Sequence, residues 1–137
     1  MKKAILLAVL AALVITPAAA VAKSTTGPMN PKVLYVLHGP LSAYTAYDAA
    51  TQTPGSITIL VKRANYHNLA LHNQSLTFPV GANTRIILNN GVTAIANGDS
   101  GAVKLIAPQR IPKADLAATL QSKTARAIVD NGPPPTP

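Results

Sequence analysis

The sequence predicts an all-β fold with one short helix, a small five-stranded sheet that curls on itself or closes into a barrel. Three observations carry this expectation. Ile57, Ile59 and Val61 alternate with Thr58, Leu60 and Lys62, the period-two pattern of a half-buried strand. The β-former stretch from Val33 to Tyr47 is broken at His38-Gly39-Pro40, as where a strand bulges or bends within a curling sheet. Pro112 to Ser122 is the best helical stretch after the leader: Pro112 starts it, Asp115 lies in its first turn, and Leu116 and Leu120 form an i,i+4 apolar stripe.

The other elements follow in chain order. Val33 to Leu37 is a continuous apolar run, and Leu41 to Tyr47 resumes it after the bend. Asp48 to Gly55 is rich in turn formers and separates this strand from the second. Asn65 to Gln74 is a polar crossing. Leu76, Phe78 and Val80 open a third strand, restricted by Pro79 to an edge or bulge, and Thr84 to Leu88 continues it past a Gly81-Ala82-Asn83 turn. Asn89-Asn90-Gly91 is a turn signal, and Val92 to Asn97 is too short for more than one helical turn. Ala102 to Ala107 is the fourth strand and Ala125 to Asp130 a short fifth. The aromatics are Tyr35, Tyr44, Tyr47, Tyr66 and Phe78, so Ile, Leu and Val must fill the core.

The ends read differently from the body. Lys2 and Lys3 precede an apolar run from Ala4 to Ile15; Thr16-Pro17 breaks it, and Ala20-Val21-Ala22 has the small-x-small pattern of a signal-peptidase site. A membrane-spanning helix needs about 20 apolar residues, more than this run supplies. Residues 1–22 are therefore expected to be a cleaved signal peptide, with Ala20 as an alternative cleavage point, and no transmembrane segment remains after cleavage. The chain beyond it is expected in the periplasm, the cell envelope or the extracellular space. Residues 23–32 read as a flexible lead-in, 33–131 as one β-barrel domain, and 132–137 as a proline-rich disordered tail. With no cysteine, neither a lipoprotein anchor nor a disulfide framework exists, and the fold must stand on its core.

Twelve Lys and Arg face four acids, all aspartate, for a net charge of +8. Such an excess favours weak, salt-sensitive contact with anionic polymers or a membrane surface. Otherwise no partner is specified.

Three constellations could carry chemistry. The stretch Asn97 to Val103, NGDSGAV, contains GDSG, which resembles the nucleophile motif of chymotrypsin-like serine proteases, and His38 and Asp48 precede Ser100 in the order of that family. Those proteases set their site between two barrels, a second glycine follows in their motif where Ala102 stands here, and His38 lacks the family's flanking context. Ser100 is therefore read as a turn residue and no enzyme is expected; a small serine hydrolase using Ser100 is the alternative. His67 and His72 are five apart, a spacing that shares neither a helix face nor a strand face, and no third ligand is at hand, so no metal site and no cofactor are expected. The triplet Lys62, Arg63 and Tyr66 is where a basic pair meets an aromatic, and it is the candidate ligand face.

The order of motifs resembles a family of exported bacterial domains of unknown function, small OB-like β-barrels. The matching parts are His38-Gly39 with Leu41, Ile57-Thr58-Ile59-Leu60-Val61, Val80 to Ile86, and Ile95 to Leu105 with Gly98-Asp99 at its turn. The resemblance spans roughly residues 33–107, with the helix and last strand as an addition. It implies a barrel and a turn before the fourth strand. It implies no activity and no catalytic residues. The function expected is a non-catalytic binding or structural module, with an OB-like binder of anionic oligomers as a further alternative.

Overall fold

The computed structural model of the chain describes residues 32–137. The expected signal peptide, and the lead-in up to Pro31, lie outside the described residues. Seven strands form one sheet: β1 (Val33–Thr45), β2 (Gly55–Leu60), β3 (Arg63–Ala64), β4 (Ser75–Val80), β5 (Arg85–Leu88), β6 (Ser100–Ala107) and β7 (Ala127–Asp130). Their order is β4-β2-β1-β6-β7-β5, with β3 also paired to β1. The sheet is open and curled, with β4 and β5 at its two edges.

The curl comes from β1, whose 13 residues serve two parts of the sheet. Val33 to Pro40 pair antiparallel with β6, from Val33↔Ala107 to Pro40↔Ser100. Beyond the bend, Leu41 pairs with Ile59 of β2, and the register shifts between Ser42 and Thr45. Ala43 takes a positive φ of 49° in that shift, and its N–H donates to Asn97 Oδ1 at 2.9 Å. Gly39 and Gly101 sit opposite each other at the bend. A Cβ on Gly39 would overlap the Leu60 carbonyl oxygen, and one on Gly101 would overlap the Leu41 side chain and the Val129 carbonyl. Only glycine lets three backbones come this close.

The expectation of five strands is corrected to seven, for two reasons. The expected third strand is two strands, because the chain turns at Gly81. There Thr84 Oγ1 accepts the Gly81 N–H at 2.9 Å and donates to the Ala125 carbonyl at 2.6 Å. The continuation, β5, then lies parallel to β7 instead of extending β4. The second reason is β3, a two-residue strand against Leu37 and His38, too short to leave an alternation in the sequence. The expected helix from Pro112 to Ser122 is a 3-10 turn at Lys113–Asp115 followed by a six-residue helix, α1 (Leu116–Gln121). The polar crossing contains another 3-10 element at Tyr66–Leu71, and the last strand begins at Ala127.

The alternation in β2 buries Ile57 and Ile59, with Val61 just beyond, against Phe78 and Leu76 of β4 and Leu41 of β1. Leu116 and Leu120 of α1 are both buried, so the i,i+4 stripe does pack on the core. Tyr35 is fully buried, and its hydroxyl accepts the Ile111 N–H at 3.0 Å, which removes the cost of hiding that oxygen. The β4 edge is covered: Gln121 Oε1 accepts the Thr77 N–H at 3.2 Å, and the Ala125 N–H donates to the Pro79 carbonyl at 2.9 Å. Gly132 is buried and belongs to the body; its carbonyl accepts the Ser100 N–H at 2.8 Å. From Pro133 onward the chain is exposed.

Candidate binding cleft

The bend in β1 creates an open cleft of about 680 Å3, with His38 on β1, Lys62 and Arg63 at the β2–β3 junction, Ser100 on β6 and Asn131 after β7. Backbone hydrogen bonds fix each of them. Lys62 N–H donates to the His38 carbonyl at 2.8 Å, and His38 pairs with Arg63. Ser100 is opposite Pro40, and Asn131 N–H donates to the Ser100 carbonyl at 2.9 Å. The Lys62 ammonium donates to Asn73 Oδ1 at 3.2 Å, which turns part of its capacity away from the cleft. The cleft thus gathers two full cations, an imidazole, a hydroxyl and the two amides of Asn65 and Asn131, and none of the residues lining it is acidic.

The candidate ligand face is divided. Lys62 and Arg63 line this cleft, whereas Tyr66 lies in a second one of about 560 Å3 with Arg110 and Lys113. Tyr66 is 80% exposed, and its ring meets His67 edge-on with centroids 5.7 Å apart. Tyr66 follows Arg63 by only three positions, but β3 ends at Ala64 and the 3-10 element turns the tyrosine away.

The GDSG stretch buckles the bend. Gly98 has a φ of +91°, which glycine adopts without strain, and its N–H donates to the Leu41 carbonyl at 2.8 Å. Leu41 N–H returns a bond to the Asp99 carbonyl at 2.8 Å, and Asp99 Oδ2 accepts the Ala96 N–H at 3.1 Å. Ser100 then opens β6. His38 and Ser100 are diagonal neighbours across β1 and β6, a placement that separates backbones by roughly 7–8 Å. Among the described residues no hydrogen bond joins them. Asp48 lies outside the cleft in the β1–β2 turn, where it accepts from Thr51 Oγ1 at 2.8 Å and from the Ala50 N–H at 2.9 Å. Those two bonds, the hydroxyl first, hold its carboxyl below the usual range. His67 and His72 stand in and just after the 3-10 element, and among the described residues no group of three His, Cys, Asp or Glu could hold a metal ion.

Sequence reasoning missed the acidic pair beneath the cleft floor. Asp130, at the end of β7, is fully buried; its Oδ1 accepts the Gly132 N–H at 2.8 Å, and its Oδ2 has no hydrogen-bond partner. Burial pushes its carboxyl above the ordinary value of 3.8, the Gly132 N–H opposes this, and the nearby Asp99 carboxylate pushes it further up. A raised folded pKa means stability that is complete below about pH 3.8 and is lost as pH rises through the higher folded value. Asp130→Asn keeps the acceptor for Gly132 and removes the buried charge. It should raise the melting temperature at neutral pH, and its lead over the wild type should shrink as pH falls toward 3.8. Parallel melting curves across pH 3.8 to neutrality for the two proteins would contradict this.

No family model matches the chain, and no curated protein or solved structure is similar to it.

Proposed function

We propose that this protein is a non-catalytic exported binding module of the cell envelope or extracellular space, and that its cleft holds a negatively charged group of its ligand. The observation that carries this is the acid-free gathering of Lys62, Arg63, His38, Ser100 and Asn131 around one open cleft. The arrangement offers donors to an anion and lacks a base-orienting acid beside His38. The relationship to small exported OB-like bacterial domains is part of the same proposal. It is supported by the order of the four motifs, not by closure of the sheet.

The test is a binding screen of the chain from Lys23 onward, which retains every core residue, against single-stranded DNA and heparin-like glycans at low and physiological salt. Arg63→Ala should weaken binding about tenfold, the loss of one charge-assisted hydrogen bond of roughly 1.5 kcal/mol. Binding by exposed cations should fall with salt, since screening shortens their reach to about 8 Å at physiological ionic strength. Tyr66→Ala should leave it unchanged. Salt-resistant binding that depends on Tyr66 would instead support an OB-like binder of anionic oligomers, a reading favoured by the exposed ring beside Arg110 and Lys113. Labelling of Ser100 by a fluorophosphonate probe would overturn the non-catalytic reading. Export predicts Lys23, or Val21, at the amino terminus of the exported protein by mass spectrometry, and an intact Met1 there would contradict it.

A further inference from the structure

We propose that the outward face of β1, β6, β7 and β5 docks on an anionic lipid bilayer surface. Strand alternation sends Tyr35, Leu37, Val103 and Leu105 into the core, so the intervening residues of β1 and β6 face out. The register sets Leu34 opposite Ile106, and places Lys104 and Arg85 on either side of Ala127. Ile87 lies on the same face two residues beyond Arg85. Arg126 joins them, held by its N–H to the Lys104 carbonyl at 2.9 Å. Together these residues line a broad groove of about 900 Å3. Four strands spaced by about 4.8 Å make this face roughly 14 Å across.

Its charge is segregated. All four aspartates of the chain lie elsewhere: Asp48 serves its own turn, Asp99 and Asp130 are buried, and Asp115 lies in the 3-10 turn before α1. Arg85, Lys104 and Arg126 therefore present three positive charges without a carboxylate among them. Between the cations stand apolar side chains, with Leu34 left 46% exposed. A soluble polyanion would use the cations and leave Leu34 without an apolar partner. A bilayer surface uses both, because anionic head groups overlie hydrocarbon.

Co-sedimentation with vesicles tests the proposal, using the chain from Lys23 onward so that the leader's apolar run does not bind by itself. The wild type should bind vesicles of phosphatidylglycerol and phosphatidylcholine at physiological salt and not vesicles of phosphatidylcholine alone. Removing all three cations in R85Q/K104Q/R126Q should weaken binding about a hundredfold, at about fivefold per charge near the surface. Leu34→Ser should weaken it severalfold while leaving the melting temperature in place. Soluble polyphosphate should compete poorly. Equal affinity for polyphosphate and vesicles with no effect of Leu34→Ser would overturn the proposal in favour of a polymer ligand. It is equally overturned by wild-type binding that ignores phosphatidylglycerol, or by a triple variant that binds as the wild type does.

Discussion

Gly39→Ala should cost about 3 kcal/mol or more and lower the melting temperature by at least about 12 °C. The new Cβ would meet the Leu60 carbonyl oxygen, with Leu60 C and Lys62 N also within 3.2 Å, so the obstruction is backbone and cannot swing aside. Relief requires β1 to separate from the β2–β3 junction. That motion breaks the bond from Lys62 N–H to the His38 carbonyl, and so opens the candidate cleft along with the fold. Thermal melting and chemical denaturation of the variant measure the loss. Tolerance within about 0.5 kcal/mol, the range of ordinary surface changes, would mean that β1 does not bend against β2 as described.

Ile59→Ala should cost about 2–5 kcal/mol, whereas Ile86→Ala should cost less than about 1 kcal/mol. Both residues are β-branched members of strands and look alike in sequence. Ile59 is fully buried, with Leu41 and Leu76 as its cross-strand neighbours, and truncation leaves a cavity that the flanking strands cannot collapse. Ile86 is 36% exposed on the edge strand β5, where water fills the space. Equal losses for the two would contradict the assignment of β5 to an edge.

The contrast between these isoleucines shows what was legible in the sequence. The Gly39-Pro40 pair itself marked the bend. Periodicity identified β2 and the Leu116/Leu120 stripe, because a residue two or four positions away reports the same buried face. It did not reveal that Thr84 to Leu88 leaves β4 and runs parallel to β7, since that depends on Thr84 bonding to Ala125, 41 residues away. Nor did it foresee β3, whose two residues are held by β1 and not by their own pattern.

The site was legible by residue and not by grouping. Lys62, Arg63, His38 and Ser100 were each singled out, yet His38 and Ser100 stood in a different constellation from the basic pair. The β1–β6 register and the β3 pairing bring the four together, and neither is encoded locally. Tyr66 was grouped with Arg63 by sequence distance, and the turn into the 3-10 element separates them. Asp130 gave no signal at all, because an aspartate at a strand end reads as an ordinary turn residue until the fold buries it.

The central claim, that the cleft holds an anion, is tested most directly by titrating inorganic phosphate into the isotope-labelled chain from Lys23 onward and following its amide spectrum by NMR. Saturable shifts confined to Arg63, Ala64, Ser100, Gly101 and Asn131, and abolished by Arg63→Ala, are the predicted result. Shifts centred on Tyr66 to Ala70, or a uniform drift that never saturates, would contradict it.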